Sequence, residues 1–329
     1  EMLNIVQKPT LHKTDVSRST LLFGDCLIES DKIETGSVDL ILTDLPYGTV
    51  KDIRSSPASK TTGLQVCEWD VVIPTEKIME LANRILRKNG KMILFCQDPF
   101  STELKNKAIP NLPFNYSMIW EKDHFANCLL AKKAPLNYFE DILIFSKKAC
   151  YEAKHPLKAI FFEIYEKHGK EKCLNAIRTS GRFSSEQSVN FHTSIKFGYG
   201  EGMVFELMVE ELFNHCKRTI DIPFEYSYLK EIDEQYKKEY ASTFNLWEGN
   251  KYKSNILKYK KDYNGYHPTQ KPILLLEDLI KTFSNENDLV VDLTMGSGST
   301  GVACKNTNRN FIGIEKDENY YNVAVRRCS

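Results

Sequence analysis

The feature that most constrains the fold of this chain is a strand, a glycine-containing loop, a helix and a second strand near the C-terminus. Leu289–Asp292 is an apolar run of strand length that leads into Gly296 and Gly298, and helical spacing follows from about Ser299. Residues 311–315 form the next apolar run. Glycines let a backbone approach a ligand closely, and the first N–H groups of a helix lack partners within the helix. The segment therefore predicts a βαβ unit of the kind that binds nucleotide-like ligands.

The same alternation of strand and helix patterns extends through much of the remaining chain. Further buried strands are predicted at residues 20–23, 38–43, 91–96, 116–120 and 141–145, and helices at residues 78–86 and 272–283. Strands that alternate with amphipathic helices favour a parallel sheet covered on both faces. The sequence thus predicts an α/β fold with a doubly wound, mostly parallel sheet.

The pattern changes in the middle of the chain. A helix is predicted at residues 157–165, a polar stretch rich in serine and glycine at 179–194, and a second helix at 203–216. A strongly charged segment follows to residue 240. We therefore expect one domain built from residues 1–150 and 251–329, and an inserted region at 151–250.

Composition excludes several classes of protein. Nine cysteines without a Cys-x-x-Cys pair argue against a metal site of the zinc type and against a disulfide framework. No apolar run is long enough to span a bilayer, and no signal peptide is recognisable, so we expect a cytoplasmic protein with no membrane partner. Basic and acidic residues both number 44, so net charge does not indicate a nucleic-acid partner. Residues 251–261 hold five lysines and no acid, which fits either a solvated face or a DNA contact.

A second loop whose residues could take part in a reaction follows the predicted strand at 38–43. Its residues are Asp44, Leu45, Pro46 and Tyr47. A carboxylate and a backbone carbonyl can accept both N–H bonds of an aromatic amine and so aim the nitrogen lone pair at an electrophile. Proline stiffens the loop by fixing φ, and the tyrosine ring offers a stacking surface for a base.

Acidic residues also end the two strands of the C-terminal unit. Asp292 can meet a cationic group, and an acid at that position would disfavour the pyrophosphate of a dinucleotide. Glu315 lies about 20 residues after the glycines, the usual place for a carboxylate that binds ribose hydroxyls. The ligand predicted from these acids is a nucleoside with a cationic group.

Together with the string at residues 267–272 and Gly24-Asp25-Cys26, these motifs resemble the amino-methylating DNA methyltransferases of bacteria and phages. The resemblance is to the permuted group of the N6-adenine/N4-cytosine family, in which the cofactor motif comes last. It covers residues 20–148 and 265–327, and it implies a Rossmann-like domain with residues 151–250 as the target-recognition region. The chain departs from the family at Leu45, where proline is usual, and at Thr294, where phenylalanine is frequent.

The resemblance implies S-adenosylmethionine as the cofactor and assigns roles to particular residues. Catalysis would use Asp44, Leu45, Pro46 and Tyr47. The cofactor would be held by Asp25, Cys26, Thr269, Lys271, Asp292, Gly296, Ser297, Gly298, Thr300 and Glu315. Double-stranded DNA is the expected partner, with phosphate contacts from Lys132, Lys133, Lys147 and Lys148.

The expected reaction is methyl transfer to the N6 amine of a flipped adenine in a specific sequence, because the family's cytosine-N4 members usually carry serine where this chain has Asp44. A cytosine-N4 methyltransferase and an inactive relative that only binds cofactor or DNA stay open as alternatives. So does a methyltransferase for protein amide nitrogen, although that group usually has asparagine at this position. A homodimer and a cognate restriction enzyme are further partners that the sequence leaves open, as it does an orphan or a phage-protective role.

Overall fold

The computed structural model describes residues 10–13, 18–46, 72–126, 132–148, 155–199, 205–240, 242–262 and 270–329. The chain divides into two compact units. The first unit comprises Glu1–Lys148 and Ser242–Ser329, and the second comprises Ala149–Ala241. The boundaries between the units fall between residues 148 and 149 and between residues 241 and 242, whereas the sequence placed them at 150 and 250.

The first unit is built on an eight-stranded sheet with the order β1-β8-β7-β2-β3-β5-β4-β6. β5 runs antiparallel to its two neighbours, β3 and β4, and the other paired strands are parallel. This confirms the doubly wound, mostly parallel sheet. The strands are β1 Ser19–Phe23, β2 Val38–Thr43, β3 Leu86–Cys96, β4 Phe114–Ala126, β5 Asn137–Ser146, β6 Ile256–Lys258, β7 Leu289–Asp292 and β8 Asn310–Glu315.

Helices cover both faces of this sheet. In β2, Ile41 belongs to one buried cluster, and its neighbours Leu40 and Leu42 belong to another. Alternate residues of a strand point to opposite faces, so two cores on one strand require helices on both sides. The helices of the first unit are α1 Cys26–Glu29, α2 Thr75–Ile85, α3 Phe100–Asn106, α9 Ile273–Phe283, α10 Ser299–Asn306 and α11 Glu318–Cys328. Within the described residues, no helix combines the length and apolar character needed to cross a membrane.

The second unit is helical and has its own core. Its helices are α4 Pro156–His168, α5 Lys170–Arg178, α6 Glu186–Phe197, α7 Glu210–Lys217 and α8 Tyr226–Tyr240. The polar stretch at 179–194 includes much of α6, a helix that the sequence did not predict, because α6 buries Thr193 and Ser194 along with apolar residues and so lacks a clear apolar stripe. The predicted helix at 203–216 begins later, at Glu210. Phe205 and Leu207 are buried, but the segment that holds them is not helical.

Residues 242–262 pack against α9 and thereby belong to the first unit. The Asn245 backbone N–H donates to the Thr282 carbonyl at 2.7 Å. Asp278, which is 2% exposed, accepts from Trp247 Nε1 at 3.0 Å, from Lys253 Nζ at 2.6 Å and from the Tyr259 hydroxyl at 2.9 Å. Lys253 is therefore a buried partner of Asp278 and not part of a solvated or DNA-facing run.

Candidate active site

The two motifs meet because β2 and β7 are neighbours. The strands pair in parallel through Leu40 with Val290 and Ile41 with Val291, so both end at the same edge of the sheet. From β7 the chain continues to β8 on one side, and from β2 it continues to β3 on the other. Ligands of open α/β sheets bind at such a switch point, beyond the carboxyl ends of the strands.

Asp292 organises the junction between the two loops. Its Oδ1 accepts from the Thr43 hydroxyl at 2.8 Å and from the Thr294 N–H at 3.1 Å, and its Oδ2 accepts from the Thr300 hydroxyl at 2.6 Å. Burial raises the pKa of Asp292 to about 6, although these three donors oppose that rise. The carboxylate thus fixes the start of the glycine loop and the start of α10, and it retains lone pairs for a ligand.

Both departures from the family pattern have a structural explanation. The Thr294 hydroxyl donates to the backbone carbonyl of Asp44 at 2.9 Å and so ties the two motifs together, which phenylalanine could not do. Leu45 is 2% exposed and packs into the core below β2. The leucine side chain therefore contributes packing, and its backbone carbonyl is the same group that a proline would supply.

The glycine loop is held from two sides. Gly296 and Gly298 adopt positive φ angles of 53° and 82°. The Gly296 N–H donates to Glu315 Oε2 at 2.9 Å, while Glu315 Oε1 accepts from the Asp317 N–H at 2.8 Å. Arg327 donates to the Ser297 carbonyl at 2.7 Å from α11. Burial raises the pKa of Glu315, which also keeps free lone pairs on both oxygens.

Asp44 directly follows β2 and lies beside Lys271, which precedes α9. The Lys271 ammonium donates to Asp44 Oδ2 at 2.5 Å. The other oxygen, Oδ1, is buried and accepts no hydrogen bond within the part of the chain that the structure describes. Burial raises the pKa of Asp44 to about 6, against the lowering effect of Lys271. Asp44 therefore offers an unused acceptor where the two loops meet.

A cavity at this edge of the sheet collects the predicted residues. Those that line it are Asp25, Cys26, Asp44, Leu45, Pro46, Lys271, Asp292, Gly296, Ser297, Thr300 and Glu315. Gly298 does not line it; its place is at the start of α10, where a Cβ would come within 3.0 Å of Ala324 and Cys328. Tyr47 and Thr269 lie outside the described residues, so their predicted roles stay predictions.

A family model described as DNA methylase (N6_N4_Mtase) matches residues 38–326. The chain belongs to this family. The Type II methyltransferase M2.LlaDCHI of Lactococcus lactis subsp. cremoris is 34% identical over 325 residues, which are 99% of this chain and 93% of that protein. The DNA adenine methyltransferase YhdJ of Escherichia coli K12 is 25% identical over 308 residues, 94% of this chain and 82% of that protein. The crystal structure of an M1.HpyAVI–SAM complex is 18% identical, with a TM-score of 0.48, and the match covers 94% of this chain and 100% of that chain.

The cofactor of this DNA methyltransferase is S-adenosylmethionine, and the cavity fits it. Gln270 is 6% exposed and lines the cavity, and neither atom of its amide group has a hydrogen-bond partner among the described residues. A buried polar group without a partner is costly, so this amide indicates a polar ligand. Asp292, Glu315 and the Gly296 loop are the groups that would hold the cofactor, which supplies an electrophilic methyl group when bound.

A third strand end, at β1, completes the cavity of the methyltransferase. The Gly24 N–H donates to the Glu315 carbonyl at 2.9 Å, and Asp25 caps α1 by accepting from the Leu27 N–H at 2.8 Å. Burial raises the pKa of the Cys26 thiol to about 12. Cys26 therefore stays protonated and contributes packing beside the cofactor site rather than a nucleophile.

Glu315→Gln is expected to weaken binding of S-adenosylmethionine by about 1–3 kcal/mol, because the amide replaces an anionic acceptor that also holds the Gly296 N–H. Titration calorimetry with the cofactor or its demethylated product measures the change. Glu318→Gln, an exposed acid in the same region, is the matched control and should bind like wild type. Equal affinity of Glu315→Gln and wild type would contradict the assignment of Glu315.

The predicted phosphate-binding lysines separate into two groups. Cys96 at the end of β3 pairs with Asp141 early in β5, so Lys132 and Lys133, which are exposed and shortly precede β5, lie at the same sheet edge as the active site. Ser146 pairs with Lys91 at the opposite edge. Lys147 and Lys148 follow Ser146 there, and the Lys147 ammonium donates to the Leu86 carbonyl at 2.8 Å and to the Asn83 carbonyl at 2.5 Å. Lys147 and Lys148 therefore lie at the sheet edge opposite the active site, and their contacts with DNA phosphates stay a prediction.

Sequence reasoning missed other residues in and near the site. Gln270 lies between two assigned positions, and Lys122 and Glu140 lie just outside the strands predicted at 116–120 and 141–145. Lys271 was assigned to the cofactor, yet its ammonium lies 2.5 Å from Asp44 Oδ2 and 3.2 Å from Glu140 Oε2. Acidic and basic residues within apolar strands were the available signal, since charges in such places are rarely buried without partners.

Proposed function

We propose that this DNA methyltransferase transfers a methyl group to the exocyclic N6 amine of a flipped adenine within a specific sequence. The observation that carries the proposal is Asp44 Oδ1, a buried carboxylate oxygen without a hydrogen-bond donor among the described residues, at the cavity that fits the cofactor. The aspartate itself supports adenine over cytosine, as does the similarity to an adenine methyltransferase across most of the chain.

The residues of the chain must make a poor nucleophile more reactive. The N6 lone pair of adenine is delocalised into the ring, so the nitrogen must become more tetrahedral before it can attack a methyl group. Asp44 Oδ1 accepts one N–H bond, and the Leu45 carbonyl accepts the other. The new N–C bond would form as the bond from the methyl carbon to the cofactor's sulfonium sulfur breaks, which leaves a neutral thioether. Asp44 Oδ1 takes up the proton that the nitrogen loses, which its pKa of about 6 permits near neutral pH. Orientation supplies much of the remaining acceleration.

Several residues are proposed to receive the DNA. Tyr47 would stack on the flipped base, and base flipping is required because the amine is otherwise paired inside the duplex. Tyr138 and Phe139 are 49% and 46% exposed early in β5, at the same sheet edge as Lys132 and Lys133. Aromatic and basic side chains together favour a nucleic-acid contact. The second unit, at 149–241, is proposed as the target-recognition region.

Replacing both Lys132 and Lys133 with glutamine is expected to reduce the salt dependence of DNA binding. Each lost phosphate contact should lower the slope of log K against log salt concentration by about 0.9. Fluorescence anisotropy with a labelled duplex at several salt concentrations measures the slope. Lys148→Gln, an exposed lysine at the opposite sheet edge, is the control and should leave it unchanged. An unchanged slope in the double variant would show that neither lysine contacts a phosphate and that both belong to ordinary solvated surface.

The decisive experiment incubates the enzyme with unmethylated genomic DNA and cofactor labelled in the methyl group, followed by nucleoside analysis and mapping of the methylated sequence. N6-methyladenine at one recurrent sequence is the expected result. N4-methylcytosine alone would reject the adenine assignment, and no labelled nucleoside would favour an inactive relative. A restriction enzyme with the same recognition sequence is the proposed partner, because the full-length relative is a Type II methyltransferase.

A further inference from the structure

Asp44 is the first member of a row of four charged side chains, which we call the charge row: Asp44, Lys271, Glu140 and Lys122. The Lys271 ammonium lies 2.5 Å from Asp44 Oδ2 and 3.2 Å from Glu140 Oε2. The Lys122 ammonium lies 2.6 Å from Glu140 Oε1. Acidic and basic groups thus alternate along the row, and each lysine or acid between the ends contacts two opposite charges.

The charge row is largely buried and is assembled from four separate segments of the chain. Asp44 follows β2, Lys271 precedes α9, Glu140 lies in β5 and Lys122 lies in β4. The side chains of Lys271, Glu140 and Lys122 are 7%, 10% and 10% exposed, and that of Asp44 is 25% exposed. The ammonium of Lys271 also lies 5.2 Å from the centre of the Phe95 ring. Because burying a charge is expensive unless it is paired, such a row restricts the charge state of every member.

Glu140 and Lys271 act on Asp44 in opposite directions. The positive charge of Lys271 lowers the pKa of Asp44, and the negative charge of Glu140 raises it. Burial alone would raise the pKa of Glu140, but Lys271 and Lys122 together hold it below its ordinary value. Glu140 is therefore anionic at neutral pH and competes with Asp44 for the Lys271 ammonium.

We propose that Glu140, supported by Lys122, is a positioning residue that shares the Lys271 ammonium with Asp44 and so keeps Asp44 an effective acceptor for the target amine. The inference rests on the proposed function and deepens it. A lysine paired with Asp44 alone would hold that carboxylate as a weak base. Division of the lysine between two acids fixes Asp44 Oδ2 but leaves Oδ1 basic enough to take the amine proton.

The test compares pH profiles of methyl transfer in single-turnover experiments at saturating cofactor. Activity requires anionic Asp44, so the rate falls as the pH drops through the pKa of Asp44. Glu140→Gln removes a like charge and should move the midpoint of this acid limb to lower pH, whereas Lys271→Met removes an opposite charge and should move it to higher pH. Shifts of about one pH unit are expected for charges at this distance.

The rate and the cofactor affinity should also respond separately in Glu140→Gln. A less basic Asp44 is a poorer proton acceptor, so the rate on the plateau should fall about three- to tenfold. Cofactor affinity measured by calorimetry should stay near wild type, because Glu140 is not among the residues that line the cavity. A purely structural role would instead change both quantities, or neither.

Other charged groups near the charge row require controls. Asp292 faces Asp44 from β7, and Lys261 faces the row from the segment after β6. Both are unchanged in the two variants, so opposite shifts cannot come from them. Glu121→Gln is the matched control: this glutamate is next to Lys122 in β4 but forms an exposed pair with Lys258. Its pH profile should coincide with that of wild type.

Lys271→Met leaves two buried acids facing each other, so folding must be checked by circular dichroism and by cofactor binding. If it does not fold, Lys271→Arg and the double variant Lys271→Met/Glu140→Gln replace it. Arginine keeps the charge and should keep the acid limb within about half a unit of wild type. The double variant removes one charge of each sign, and its limb should lie at higher pH than that of Glu140→Gln.

The inference would be overturned if the acid limbs of Glu140→Gln and Lys271→Met moved in the same direction or stayed in place. That outcome would leave the proposed function intact as long as wild type methylates adenine. Failure of wild type to methylate DNA under any condition would instead reject the proposed function itself. The two failures are thus distinguished by one set of measurements.

Discussion

Asp44→Asn is expected to lower kcat for methyl transfer by about 10²-fold or more, with cofactor affinity within about twofold of wild type. Asparagine is nearly the same size as aspartate, but it has one acceptor oxygen and one amide NH2 group that only donates. Lys271 can only donate, so the asparagine oxygen must face its ammonium and the amide NH2 group must take the place of Oδ1. The target amine would then meet a donor where it needs an acceptor.

Single-turnover kinetics with saturating cofactor measure the loss in Asp44→Asn, and calorimetry measures cofactor affinity in the same preparation. Asp44→Ala is the companion variant, since it removes the acceptor without adding a donor and should be similarly inactive. An active Asp44→Asn enzyme would show that Oδ1 accepts no N–H bond in the transition state. A loss confined to cofactor affinity would place Asp44 in the cofactor site rather than at the target amine.

Asp278→Ala is expected to lower the free energy of unfolding of the first unit by about 3–5 kcal/mol. The carboxylate accepts from Trp247, Lys253 and Tyr259, and the Lys253 side chain is 7% exposed. Alanine would leave that ammonium buried without its anionic partner. Because residues 242–262 pack on α9 through these contacts, the variant should also weaken the packing of that segment on α9.

Urea denaturation followed by tryptophan fluorescence measures the effect, since Trp120 and Trp247 belong to the first unit. Adding Lys253→Met to Asp278→Ala should recover part of the loss, because it removes the unpaired charge. Lys258→Ala breaks an exposed pair with Glu121 and should cost less than about 1 kcal/mol. A loss that small in Asp278→Ala would show that Lys253 reaches solvent on its own.

The amino-acid sequence by itself determined the local elements and the two motifs. β2 and β7 have the bounds that their apolar runs predicted, and α9 and α10 begin within one residue of their predicted starts. Such elements are local because the period of apolar residues and the glycines that end them lie within one short segment. The same locality made Asp44, Asp292 and Glu315 recognisable, since each directly follows or ends an apolar strand.

The tertiary structure decided which of these residues meet. Strand pairing places β2 beside β7 and so joins Asp44 to the Thr294 hydroxyl, and it sends Lys132 and Lys148 to opposite edges of the sheet. The charge row joins four elements that are distant in sequence, and the burial of α6 depends on neighbours in its own unit. Burial and the distance between charges are properties of packed elements, and both set pKa values and partners. A pattern read along one chain therefore identifies the acids of this enzyme, and only the fold shows which cation each acid shares.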